Sequence, residues 1–102
     1  MNLETFKKNA KNNFVVLNVS GGTRLNAKGT TLKETAALFL LTIDRKKEFK
    51  VDTPEAFKED EAVLLEGYDK ETGNFVIYII MPQSTANNPK FYKLMKEFET
   101  VN

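Results

Sequence analysis

Six basic side chains, Lys7, Lys8, Lys11, Arg24, Lys28 and Lys33, fall between Thr5 and Lys33 of this 102-residue chain, and no acid interrupts them. A run of that sign attracts phosphate-bearing polymers by releasing their condensed counterions. Within it lies VSGGTRLNAKGTT, Val19 to Thr31, whose three glycines would let backbone amides approach phosphate oxygens. Arg24 is the best single contact, because its planar fork matches two phosphate oxygens at once. Phe14, Asn18 and Asn26 add stacking and base-edge contacts. The nucleic-acid reading therefore rests on Lys7, Lys8, Lys11, Phe14, Arg24, Asn26, Lys28 and Lys33. The stretch matches neither sharp phosphate motif: Gly21, Gly22 and Gly29 lack the dinucleotide-binding spacing, and no Lys-Ser/Thr pair closes a P-loop. The competing reading makes the lysines a solvated face and the glycines parts of a long turn.

The second charged stretch has the opposite sign. Between Asp52 and Glu71 lie eight acids and two lysines, so a net charge of +1 conceals a chain polarised along its length. Glu55 and Glu59 stand at i, i+4 with Asp60 and Glu61 beside them. Such oxygen-rich groups can hold Mg²⁺ or Ca²⁺, but no calcium-loop spacing is present, and a capped surface helix explains them without a metal. The same four acids could occupy a basic groove on a protein, since charge complementarity speeds and orients association. The acidic 52–71 segment that carries them, or the exposed surface of the hairpin over 62–81, defines the alternative function, a protein-binding inhibitor or adaptor.

Catalysis has little to work with. The chain contains no Cys and no His, which removes disulfides, thiolate metal sites, the thiol nucleophile and the usual neutral-pH base. A lysine-activated Ser20 or Ser84 remains, but neither serine sits in a nucleophile-elbow context. No carboxylate falls inside an apolar run that would raise its pKa. The expectation is a non-enzymatic binding protein with no catalytic residue, cofactor or metal.

The elements that must position these groups follow from periodicity. Leu3, Phe6 and Ala10 behind Asn2 predict a helix from Leu3 to Lys11, and FVVLNV, Phe14 to Val19, predicts a strand with Val15, Leu17 and Val19 on one face. Thr31 and Glu34 have capping-box spacing, which starts a helix carrying Leu32, Ala36, Phe39, Leu40 and Ile43 on one face, with Arg45, Lys46 and Lys47 at its negative end. The alternative is a buried strand over LFLLTI that turns into EFKV. Asp52-Thr53-Pro54-Glu55 starts a short helix to Asp60. AVLLEGY and FVIYIIM flank Asp69 to Asn74 as a β-hairpin over 62–81, with Gly73 in the left-handed conformation that a longer loop requires. The second of these strands is apolar on both sides, as in a sheet interior or against a partner. Pro82 stops it, QSTANN reads as a polar linker, and Asn88 caps a C-terminal helix whose Phe91, Met95 and Phe98 form an apolar stripe with Leu94 and Val101 alongside.

These elements make a single globular α+β domain over 1–102: a small antiparallel sheet with N-terminal, central and C-terminal helices packed mainly on one face. The longest apolar run, Phe75 to Met81, is far short of the roughly 20 residues a membrane span needs. The charged, amidic N-terminus does not read as a secretory signal. A cytoplasmic setting without a membrane partner is therefore expected. The first-choice partner is the nucleic-acid backbone and the alternative a protein. The two-sided strand and the C-terminal stripe are core first and a homodimer surface second. The small size and the abundance of Asn and Lys suit a phage-like accessory protein.

Overall fold

The computed structural model describes residues 2–42, 47–52 and 62–101. The chain begins with helix α1, Leu3–Asn9, where the Asn2 Oδ1 accepts the amides of Glu4 at 2.8 Å and Thr5 at 3.4 Å. That satisfies donors the first helical turn would otherwise leave unpaired. Strand β1, Asn12–Asn18, follows and pairs antiparallel with β2, Thr23–Gly29. Val19-Thr31 is therefore neither a cradle nor one long turn. Residues 19–22 turn, with Gly22 at φ 67°, residues 23–29 are a sheet strand, and Thr30 and Thr31 bend away from it.

Helix α2, Leu32–Thr42, resolves the helix-or-strand choice in favour of the helix. The Thr31 Oγ1 accepts the Glu34 amide at 3.2 Å, the first half of the expected capping box, while the Glu34 Oε1 accepts from the Thr30 and Thr31 hydroxyls at 3.2 and 3.4 Å instead of from a backbone amide. Strand β3, Lys47–Asp52, pairs with β4, Val63–Asp69, which forms the expected hairpin with β5, Phe75–Pro82. Gly73 takes φ 74° in the connecting loop. QSTANN is not simply a linker, because Gln83–Ala86 closes one turn of helix α3. A 3-10 turn at Pro89–Phe91, capped by the Asn88 Oδ1 accepting the Lys90 amide at 3.1 Å, then leads into helix α4, Tyr92–Lys96. The expected helix from Pro54 to Asp60 lies outside the described residues.

The last element is a two-residue strand, β6, Glu99–Thr100, parallel to the start of β2. The order β3-β4-β5-β1-β2-β6 places β5 between β4 and β1, and its Ile80 and Met81 enter core clusters on opposite faces of the sheet. Every pairing but the short β2–β6 one is antiparallel.

Alternation along β1 explains the layering. Phe14 and Val16 cluster with Ile80, Leu65 and the Leu32 and Ala36 side chains of α2, with Phe39 and Leu40 against them. Val15 and Leu17 point the other way and cluster with Met81, Ala86 of α3, Phe91 and Met95. The helices therefore cover both faces of the sheet, not mainly one. Period-2 burial on β1 demands it, since four consecutive apolar residues cannot all face the same layer. Leu17, Leu65, Ile80 and Met81 are fully buried, each contributing about 1.5–3 kcal/mol relative to exposure. Thr35, the buried polar side chain, accepts the Thr30 amide through its Oγ1 at 3.2 Å. Among the described residues no helix is long and apolar enough to cross a membrane.

Candidate nucleic-acid interface

The register sets which β2 side chains act together. Arg24 lies opposite Leu17, Asn26 opposite Val15 and Lys28 opposite Asn13, so these three share the face covered by α3 and α4. Beside them opens a cleft of about 360 Å³. Its floor is Val15, Ala86 and Met95, and its walls carry Arg24 and Asn26 from β2, Gln83 and Asn87 from α3 and its cap, and Tyr92 and Lys96 from α4. A second hollow lies round the end of the sheet, between Asn12, Asn13, Thr30, Pro82 and Ser84, and Gln83 lines both. No carboxylate lines either hollow among the described residues.

Two interactions fix the cationic side of the cleft. The Arg24 Nε donates to the Thr100 Oγ1 at 2.9 Å, and the Val101 amide donates to the Arg24 carbonyl at 2.8 Å. Strand β6 thereby holds both the backbone and the guanidinium of Arg24. At the same cleft the Gln83 Nε2 donates to the Asn87 Oδ1 at 3.0 Å, which ties two carboxamides together one helical turn apart.

The structure brings together only part of the set expected from sequence. Arg24, Asn26 and Lys28 are aligned on one strand face. Lys7, Lys8 and Lys11 are exposed on and just after α1, and Lys33 is exposed on α2, which packs on the opposite face of the sheet. None of these four lines the cleft. Phe14 is 3% exposed and packed within the α2-side core, although it is among the residues that line the second hollow. Ser20 is engaged structurally, with its Oγ accepting the Ile77 amide at 2.9 Å. Asn18 Oδ1 likewise accepts the Gly21 amide at 2.9 Å within the turn. Phe91 and Met95 of the apolar stripe are buried against β1 and β5, which makes them core. The alternative protein-binding acids Glu55, Glu59, Asp60 and Glu61 lie outside the described residues.

Sequence reading missed Tyr92, Lys96, Gln83 and Asn87. Gln83 and Asn87 stand at i, i+4, and Tyr92 is an aromatic off the buried stripe, 55% exposed. Either signal marks a surface position, but only the fold sets them beside β2. Among the described residues no group of three or more metal-ligating His, Cys, Asp or Glu side chains comes together. With this geometry, the chain is an α+β protein with helices on both faces of a mixed, mainly antiparallel sheet and an open cleft that Arg24 and Lys96 line. No family model, curated protein or solved structure matches it.

Proposed function

We propose that the chain is a non-enzymatic binding protein for single-stranded nucleic acid, gripping the phosphate backbone along β2 and the cleft beside it. The alignment of Arg24, Asn26 and Lys28 on one strand face, next to Lys96 and with no carboxylate lining the hollows, supports this most directly. A groove of that kind tracks a phosphate backbone, and unpaired bases find aromatic and amide side chains within reach. Gln83 lines both hollows, and a strand could reach from one to the other where a compact anion would fill only one. The lysines of α1 add long-range attraction, and association should accordingly be fast at low salt. The cytoplasmic setting expected from the sequence agrees with such a partner.

The test is fluorescence anisotropy of labelled single-stranded and double-stranded oligonucleotides over a salt series. Affinity should be higher for the single strand and fall linearly with log salt, with a slope of about −0.7 for each phosphate met. Neutralising Arg24, Lys28 and Lys96 together should weaken binding more than neutralising Lys7, Lys8 and Lys11. Absence of binding at low salt, or an affinity indifferent to salt, overturns the reading.

A further inference from the structure

The cleft has a feature that backbone attraction alone leaves unused. Arg24 and Lys96 line one small hollow, and neither forms an ion pair with a carboxylate among the described residues. Two like charges lining one site repel, and an anion bound there relieves that repulsion. Arg24 is also preorganised: with its Nε bound to Thr100, the two terminal NH₂ groups remain for a planar, two-point contact. Tyr92, one helical turn before Lys96 on α4, is more than half exposed at the same cleft, which Val15, Ala86 and Met95 also line. The Gln83–Asn87 bond engages one Gln83 N–H and the Asn87 carbonyl oxygen, leaving the Gln83 carbonyl oxygen and the Asn87 NH₂ group. That leftover acceptor and donor complement a base edge presenting an amino group beside a ring nitrogen.

We infer that this cleft is a pocket for one nucleotide unit, with its phosphate between Arg24 and Lys96, its ring against Tyr92 and its base edge on Gln83 and Asn87. Its volume of about 360 Å³ falls in the range of small-ligand clefts, roughly 300–1,000 Å³. The inference rests on the nucleic-acid reading and deepens it, because a strand held only by its phosphates needs no base pocket. One nucleotide of the bound strand is then read, and the rest are merely held.

The experiment is a ¹⁵N-resolved NMR titration of the full chain with adenosine 5′-monophosphate, inorganic phosphate and adenosine, each as a separate probe. The nucleotide should produce saturable shifts at the amides of Arg24, Asn26, Asn87 and Thr100 and at the side-chain NH₂ groups of Gln83 and Asn87. Tyr92→Ala removes an exposed ring without opening the core, and should weaken the nucleotide about tenfold, the order of one lost base–aromatic stack, while leaving the phosphate shifts intact. Q83A/N87A should weaken the nucleotide without moving inorganic phosphate, and Arg24→Gln should weaken both. Nucleotide shifts no larger than those of inorganic phosphate, or unchanged nucleotide affinity in Tyr92→Ala, overturn the pocket. A salt-sensitive oligonucleotide affinity with no mononucleotide binding removes the pocket and leaves the backbone reading standing. Mononucleotide binding with no gain in affinity for an oligonucleotide does the reverse.

Discussion

The guanidinium of Arg24 is held by a hydroxyl from the far end of the chain: its Nε donates to the Thr100 Oγ1 at 2.9 Å. Two residues of strand make this contact possible, because Glu99 and Thr100 pair in parallel with Thr23 and Arg24. The Glu99 amide donates to the Gly22 carbonyl at 2.9 Å and the Val101 amide to that of Arg24 at 2.8 Å. So short a strand contributes little core. Its effect is to fix the conformation of one arginine at the rim of the cleft.

That relationship separates position from charge. Thr100→Val removes the acceptor and keeps the arginine, so oligonucleotide affinity should fall by about two- to tenfold, the worth of roughly one hydrogen bond. The salt slope should stay the same. Arg24→Gln should weaken binding further and flatten the slope by about 0.7 for the lost phosphate contact. Paired anisotropy series at several salt concentrations would distinguish the two, and a changed slope in Thr100→Val would refute the positioning role.

Gly29 should resist any side chain. A Cβ built there meets the Thr35 Oγ1 and stands 2.9 Å from the Phe14 Cε2, and both neighbours are buried. Gly29→Ala therefore overpacks the junction of β2 and α2, at a cost of about 1–3 kcal/mol. Urea unfolding should show a lower midpoint with an unchanged m-value. A midpoint equal to that of the parent chain would mean that α2 moves aside freely.

What could be read from the sequence depended on whether local pattern or distant packing decided each element. The hairpin over 62–81 was legible because two apolar runs flank a loop with a glycine at the required position. The start of α2 was legible because Thr31 and Glu34 cap locally. Strand β2 was not: TRLNAKG places only Leu25 and Ala27 between polar residues, so pairing with the strongly apolar β1 decides its conformation. Strand β6 carries no local signal at all, since Glu-Thr is a strand only where β2 receives it. The candidate site divides the same way. Arg24, Asn26 and Lys28 already show the i, i+2, i+4 spacing of one strand face. Their partners Gln83, Asn87, Tyr92 and Lys96 come from helices whose approach to β2 is set by core packing of Phe91 and Met95. The burial of Phe14 is not legible locally, because an apolar aromatic next to basic residues looks the same in sequence whether it faces solvent or core.

Asn88 should matter more than its exposure suggests. Its Oδ1 accepts the Lys90 amide at 3.1 Å and its carbonyl accepts the Phe91 amide at 2.9 Å, which starts the 3-10 turn that delivers Phe91 and Met95 to the core. Asn88→Ala removes the side-chain cap and should cost about 1 kcal/mol. Because α4 carries Tyr92 and Lys96, the same change should also weaken oligonucleotide binding. Asn88→Asp keeps an acceptor and should restore stability, which thermal unfolding of the three proteins would check. Equal loss in both variants would argue against capping as the cause.

The hydroxyl of Ser20 closes a gap between the β1–β2 turn and β5, and its role there is open to direct measurement. The Val19 amide donates to the Ile77 carbonyl at 2.9 Å, continuing the β1–β5 ladder one step beyond β1 itself. At the next step the chain turns away, and the Ser20 Oγ takes over, accepting the Ile77 amide at 2.9 Å and donating to the Phe75 carbonyl at 3.4 Å. One side chain thus does for β5 what a further strand residue would do. Ser20→Ala should leave the Ile77 amide without its partner and cost about 0.5–1.5 kcal/mol. The loss should be local, because Leu17 and Ile80 remain fully packed. Hydrogen exchange should therefore quicken at Ile77 more than at Ile79 or Ile80, whereas equal acceleration at all three would show that the serine supports the whole sheet instead of its end. Ser20→Thr retains the hydroxyl and should keep Ile77 protected, and oligonucleotide affinity should not change in either variant, since Ser20 lines neither hollow.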